Sequence, residues 1–329
     1  MDEGARFPKV AAKAGHYESF YIKACQPGGG RGVWIRHTVH KRPGAEANAS
    51  IWFVLFDREA EGPRATKVTV GAKQLSAPVG QWIRVDKTEI GPGQASGSIA
   101  TDALSANWEL NFSGNAEPCR YLPADWLYEA PLPRTKFVAP YPDATFNGRL
   151  EVDGETIELD GWPGMIGHNW GSEHAERWVW LEGTGFGDSA GTYFDAGAAR
   201  IKIGPWTTPW VPSGMLMLDG VAHRLGGFGQ IRDASIDARP TACEFILPGR
   251  DIVVHGRVSA PQKDFVGWVY ADPKGPEHNT LNCSVSDLEL TVERPAEPAR
   301  QLTLKAGAAY EYGLRETDHG VPIQPYPDG

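Results

Sequence analysis

Short runs of β-branched and aromatic residues, each closed by glycine or proline, recur along this 329-residue chain and constrain it to a β fold. Residues 17–24 form one such run, and Gly28-Gly29-Gly30 ends it as a turn. Residues 33–40 alternate in the manner of a half-buried strand and stop at Pro43-Gly44. Residues 51–56 are apolar throughout and few, which fits a strand covered on both faces. The rhythm continues through 67–70, 81–85, 98–100 and 108–112, and the 39 glycines and 26 prolines supply the breaks. Helical candidates are scarce, a short one at 115–128 being the exception. The pattern predicts an all-β protein, sandwich or barrel.

Pro131, Pro133, Pro140 and Pro142 crowd one stretch and read as a stiff connection between domains. Two β domains are expected, residues 16–135 and 136–329, behind a mobile or edge-binding tail at 1–15. The second domain opens with a run at 146–152, an Asp153-Gly154 hairpin turn and a return at 156–159. A net charge of -9 without any basic cluster argues against nucleic acid as a partner. No apolar run approaches the ~20 residues of an integral membrane span, and the first residues lack signal-peptide order, so a cytoplasmic protein is expected. Cys25, Cys119, Cys243 and Cys283 form no C-x-x-C pair and read as free thiols. The triple glycine has no phosphate-loop or dinucleotide context, and no cofactor is expected.

Chemistry concentrates in residues 161–182, which hold four tryptophans, His168, His174, Glu173, Glu176 and Glu182. As a strand, residues 178–182 put Trp178, Trp180 and Glu182 on one face. The strand after the following glycine-rich turn places Tyr193 and Asp195 together by the same period. A carboxyl among indoles is desolvated, which raises its pKa and makes Asp195 a proton donor near neutral pH. The π-faces would stabilise a cation, so acid and rings together suit protonation of an alkene. His168 and His174 with Glu173 or Glu176 match no zinc spacing, and no metal is expected. Glu173, Glu176 and Glu182 also permit a carbohydrate-active or carbohydrate-binding reading, without an E-x-D-x-x-E pattern to support it. Trp206, Trp210 and Trp268 read as core residues.

At Gly167-His168-Asn169-Trp170-Gly171, followed by Trp178-Val179-Trp180, the chain resembles the carotenoid 1,2-hydratase (hydroxyneurosporene synthase) family and its tocopherol-cyclase-like relatives. That resemblance implies two tandem lipocalin-like antiparallel β-barrel domains and addition of water to an isoprenoid double bond. It carries the family's His, Trp, Tyr and Asp onto His168, Trp170, Tyr193 and Asp195 as catalytic candidates. Asn169, Trp178, Trp180 and Glu182 are the candidate substrate-binding residues. The family's acid before the histidine is replaced here by Gly167. The expectation is a cofactor-independent enzyme that hydrates, isomerises or cyclises an apolar isoprenoid-like or polyketide-like molecule. A non-catalytic lipocalin-like carrier of a hydrophobic ligand is the alternative from another class.

Overall fold

The computed structural model describes residues 4–187 and 191–327. The architecture is all-β as expected, with no α-helix among the described residues and every strand-to-strand pairing antiparallel. Among the described residues no helix is long and apolar enough to cross a membrane.

Two sheets carry the chain. The first runs in the spatial order Arg64–Gly71, Ala47–Asp57, Arg31–Lys41, His16–Cys25, Glu155–Gly171, Thr135–Val152, Ser105–Ser113 and Gln94–Ala100, then three short strands back to Leu75–Ser76, and curls into a nearly closed barrel. The second runs Val221–Gly226, Val211–Leu218, Tyr193–Arg200, Arg177–Thr184, Arg300–Leu314, His278–Glu293, Val253–Ser259, Ala242–Pro248 and Ser235–Arg239, with Val266–Tyr270 beside His278–Glu293, and forms a half-barrel.

The expected division at 135/136 differs from the sheet membership. The hairpin Thr135–Val152 and Glu155–Gly171 belongs to the first sheet, where it pairs with both His16–Cys25 and Ser105–Ser113, so the chain changes sheets at 172–176. Pro140 and Pro142 lie inside a strand rather than in a linker. A proline cannot donate to the ladder, and here the register shifts at Val138/Tyr141 and Tyr141/Ala144, bulges that take the ring residues out of regular pairing. The Asp153-Gly154 turn is present with φ of 51° and 84°, the left-handed pair that a tight hairpin needs. In place of a helix, 115–128 contains the strand Cys119–Arg120 and a 3-10 turn, Asp125–Tyr128. The N-terminal segment is docked: the backbone N–H groups of Arg6 and Phe7 each donate to the Glu18 carboxylate at 2.7 Å.

The strand His16–Cys25 is buried along its whole length because each face has its own core. Phe20 and Ile22 pack inside the barrel with Ile35, Phe53 and Ile166. Tyr21 points the other way, on the side of Trp34, Trp52 and Met165, and meets Trp180 of the second sheet. Tyr17, Ser19, Tyr21 and Lys23 therefore face the second sheet, as the strand period of two requires.

Lys23 and Glu182 meet across this space, Nζ to Oε2 at 2.7 Å, with both side chains fully buried. Lys23 also donates to the Gly307 carbonyl at 2.6 Å, and Glu182 accepts from the Thr184 hydroxyl at 2.9 Å. Removing one partner leaves an uncompensated buried charge. We expect Lys23→Met to lower the unfolding free energy by about 3–5 kcal/mol in urea titrations, and Lys23→Met/Glu182→Leu to recover most of it. A single-mutant cost under about 1 kcal/mol would show that the pair is solvated.

Candidate functional site

Asp195 sits on the face of Tyr193–Arg200 that looks toward the first sheet, directly opposite Glu182 in the neighbouring strand, and has no exposed surface. The Trp180 indole N–H donates to its Oδ1 at 2.9 Å, and the Tyr121 hydroxyl donates to its Oδ2 in a very short hydrogen bond. Burial pushes the Asp195 carboxyl up to about 7, the Glu182 charge adds to the rise, and the Tyr121 and Trp180 bonds with the Lys23 charge restrain it. The same burial and the Asp195 charge hold the Tyr121 phenol well above its ordinary range, so Tyr121 keeps its proton.

Aromatic rings close around this carboxyl. Tyr21 meets Trp180 edge-on at 5.3 Å, and Phe137 packs against Tyr121 at 4.4 Å and Tyr21 at 6.4 Å. Gly167 makes room for the arrangement: a Cβ there would lie 2.1 Å from Cζ of Tyr21. The residue that replaces the expected acid is thus the one that lets the Tyr21 ring lie across its strand.

The expected quartet is not brought together. Asp195 and Trp180 share a face and touch, as their strand parity implies. Tyr193 is buried on the same face, but the phenol bonded to Asp195 is Tyr121. His168 and Trp170 point into the first barrel, away from the second sheet. His168 stacks between Phe20 at 3.9 Å and Trp170 at 4.6 Å, and its Nε2 lies 2.8 Å from Oε1 of Glu18. Burial lowers the His168 pKa despite Glu18, so the ring is neutral and donates from Nε2. Glu18, although buried, is held down to about 2 by hydrogen bonds from His16 and His168. With the Arg6 guanidinium 5.0 Å over the Trp170 ring, this group anchors the N-terminal segment. The reason for the split is alternation: in Gly167-His168-Asn169-Trp170, adjacent letters face opposite cores.

The other candidates divide likewise. Asn169 faces the second sheet and accepts a hydrogen bond from the Ser19 hydroxyl. Trp178 donates to Glu311 at 2.8 Å, and Glu182 is committed to Lys23. The turn before Tyr193 includes residues 188–190, which lie outside the described residues.

A second cluster surrounds His174, one tryptophan further along the wall. Asp272 Oδ1 accepts from the His174 backbone N–H at 2.6 Å and lies 2.7 Å from its Nδ1, so the ring is held with Nε2 without a partner among the described residues. Tyr17 stacks on this ring at 3.9 Å and Trp178 at 5.5 Å. Burial opposes the Asp272 charge, but the bonds and charge of His174 hold its pKa below the usual value. His278 completes the group with Nδ1 3.7 Å from Asp272 Oδ2, and burial pushes its pKa down to about 4. The donor atoms of His174, Asp272 and His278 lie within 4.8 Å of one another, a set that could ligate a cation. The His174–Asp272 hydrogen bond already occupies one oxygen and Nδ1, which is the geometry of an oriented base.

A small pocket opens beside His174 and is lined also by Tyr17, Arg36, Thr38, His40 and Tyr270. Along the strand His278–Glu293, the side chains of His278, Thr280, Asn282, Ser284 and Ser286 are likewise buried at 1% exposure or less. Among the described residues the His278 ring, the Asn282 Oδ1 and the Thr280 and Ser284 hydroxyls have no hydrogen-bond partner. Buried polar groups are rarely left so, and the row suits a space that receives polar atoms from elsewhere. Polar residues at every second position of a buried strand were a legible signal for this face. Tyr121 and Asp272 had none, since contacts with residues 74 and 98 positions away create their roles.

No family model matches the chain. It is 24% identical over 318 residues to an uncharacterised protein of Mycobacterium tuberculosis, found in strains CDC 1551 / Oshkosh and H37Rv, covering 95% of this chain and 91% of that protein. Among solved structures it is similar to a candidate AttH from Nitrosomonas europaea (TM-score 0.55, 14% identity, 95% of this chain and 97% of that one). It is also similar to CghA (TM-score 0.59, 10% identity, 93% and 90%) and to kievitone hydratase from Nectria haematococca (TM-score 0.50, 11% identity, 93% and 90%). The fold is the tandem lipocalin-like one.

The raised pKa of Asp195 has a stability signature. The folded carboxyl keeps its proton to about pH 7, whereas the unfolded one releases it near 3.8. Asp195 therefore contributes stability that is full below pH 3.8 and lost as pH rises to 7, on the order of 4 kcal/mol in all. Asp195→Asn should flatten the fall in Tm between those pH values in scanning fluorimetry; an unchanged slope would place the pKa near its ordinary value.

Proposed function

We propose that the chain is an acid–base enzyme that adds water to, isomerises or cyclises a small molecule with an apolar body, using groups of its own for both proton transfers. The observation that carries this reading is Asp195: a fully buried carboxyl, half-protonated near neutral pH, fixed by an indole and a phenol in an aromatic enclosure. A general acid works best with its pKa near the working pH.

In this reading Asp195 supplies the proton, directly or through the Tyr121 hydroxyl, which can pass on its own proton as it receives that of Asp195. Positive charge that develops on the substrate is met by the faces of Trp180, Trp178 and Tyr21. His174, aimed by Asp272, takes the proton from water or from the adjacent carbon. His168 and Trp170 take the role of structural support, and His174 replaces His168 as the base. The neighbours support this coarsely, since kievitone hydratase is by name a hydratase. Carriage of a ligand without chemistry is the rival.

The protein, incubated in 18O-labelled water with isoprenoid alkenes and polyketide enones, should yield products that mass spectrometry finds labelled or isomerised. Asp195→Asn should lower turnover by about 100-fold or more while the ligand still binds, and kcat/KM should fall above about pH 7. His174→Gln should cost a similar factor, with His168→Gln reducing Tm more than the rate. Turnover unchanged in Asp195→Asn would sink the acid role.

A further inference from the structure

Arg36 stands in the same cross-strand row as Tyr21, so its side chain enters the space between the sheets. It is 5% exposed and permanently charged. Its guanidinium lies 4.1 Å from the centre of the Tyr270 ring, 5.4 Å from Trp52 and 5.7 Å from Trp34. Nε has no acceptor, and among the described residues no carboxylate pairs with the group. The nearby acids are engaged elsewhere: Glu311 accepts from Trp178, Tyr270 and Asn282, and Asp272 from His174. A guanidinium over aromatic rings leaves its N–H fork free to meet an acceptor, and Arg36 lines the pocket beside His174.

From this geometry we infer that Arg36 receives a planar oxyanion, and that the ligand of the inter-sheet space is a carboxylate or vinylogous acid on an apolar body. This deepens the reading above and rests on the inter-sheet space being the substrate site. The acidic end docks edge-on to Arg36 between Tyr17 and Tyr270. The apolar remainder runs along Tyr21 and the Trp178–Trp180 wall toward Asp195. The anchor fixes which carbon faces the acid, so the expected substrate is amphiphilic rather than a pure hydrocarbon.

The probes are 4-phenylbutyrate and 4-phenylbutan-1-ol, equal in shape and different in charge, titrated calorimetrically into the full chain at pH 8. The acid should bind about tenfold or more tightly than the alcohol. Arg36→Gln should erase that preference by weakening the acid alone, and Arg36→Lys, which keeps the charge but not the fork, should retain only part of it. Near-UV circular dichroism of the surrounding tryptophans checks that both variants are folded. Equal binding of the two probes, no saturable binding of the acid at millimolar concentration, or a preference that survives in Arg36→Gln would each overturn the inference. Asp195→Asn separates the two claims: it should keep the acid preference, so failure of the acid role leaves the anion site standing.

Discussion

Two carboxylates and one ammonium meet at the junction of the sheets, and the rest of the site follows from that imbalance. Glu182 and Asp195 are direct cross-strand neighbours, a placement that charge repulsion opposes. Lys23, reaching over from the first sheet, is in direct contact with Glu182 and acts on Asp195 only from a distance. Asp195, with hydrogen-bond donors but no cation in contact, is the member that keeps its proton. The structural pair and the chemical group are thus one electrostatic unit. Its proton affinity depends on how the sheets are docked as well as on local burial.

The space around this unit departs from an ordinary core. Among the described residues Arg36 is without a carboxylate, and the polar row from His278 to Ser284 makes few bonds. Each such group costs stability where it stands. Close packing of rings such as Trp52 on Trp268 at 4.9 Å and Phe194 on Phe245 at 5.6 Å offsets that cost elsewhere between and within the sheets. Local rules broken in one region and kept in the next are the mark of a site.

Much of the fold could be read from the chain. Strand alternation, glycine and proline breaks, the Asp153-Gly154 hairpin and the doubly buried strand around Trp52 all matched local rules, because those rules depend on neighbours in sequence. The prolines at 140 and 142 misled, since bulges accommodate them inside a strand and no sequence pattern distinguishes that from a linker. The site was only half legible. Parity placed Trp180 and Asp195 together, but a motif read as a continuous word hid the fact that His168 and Asn169 face opposite cores. Tyr121, Asp272 and Arg36 gain their meaning from folding partners far along the chain.

Lys23 lies 284 residues before Gly307, whose carbonyl it binds, and the first barrel closes only when His16–Cys25 finds Glu155–Gly171. Contacts of such range form late and slowly, after the loops between them have lost their freedom. Until the half-barrel docks, Lys23 and Glu182 remain hydrated on separate surfaces and Asp195 is an ordinary carboxylic acid. Docking dehydrates all three in one event. The contact that joins the sheets is therefore also the one that raises the proton affinity of Asp195, and the second sheet by itself would carry the carboxyl without that shift.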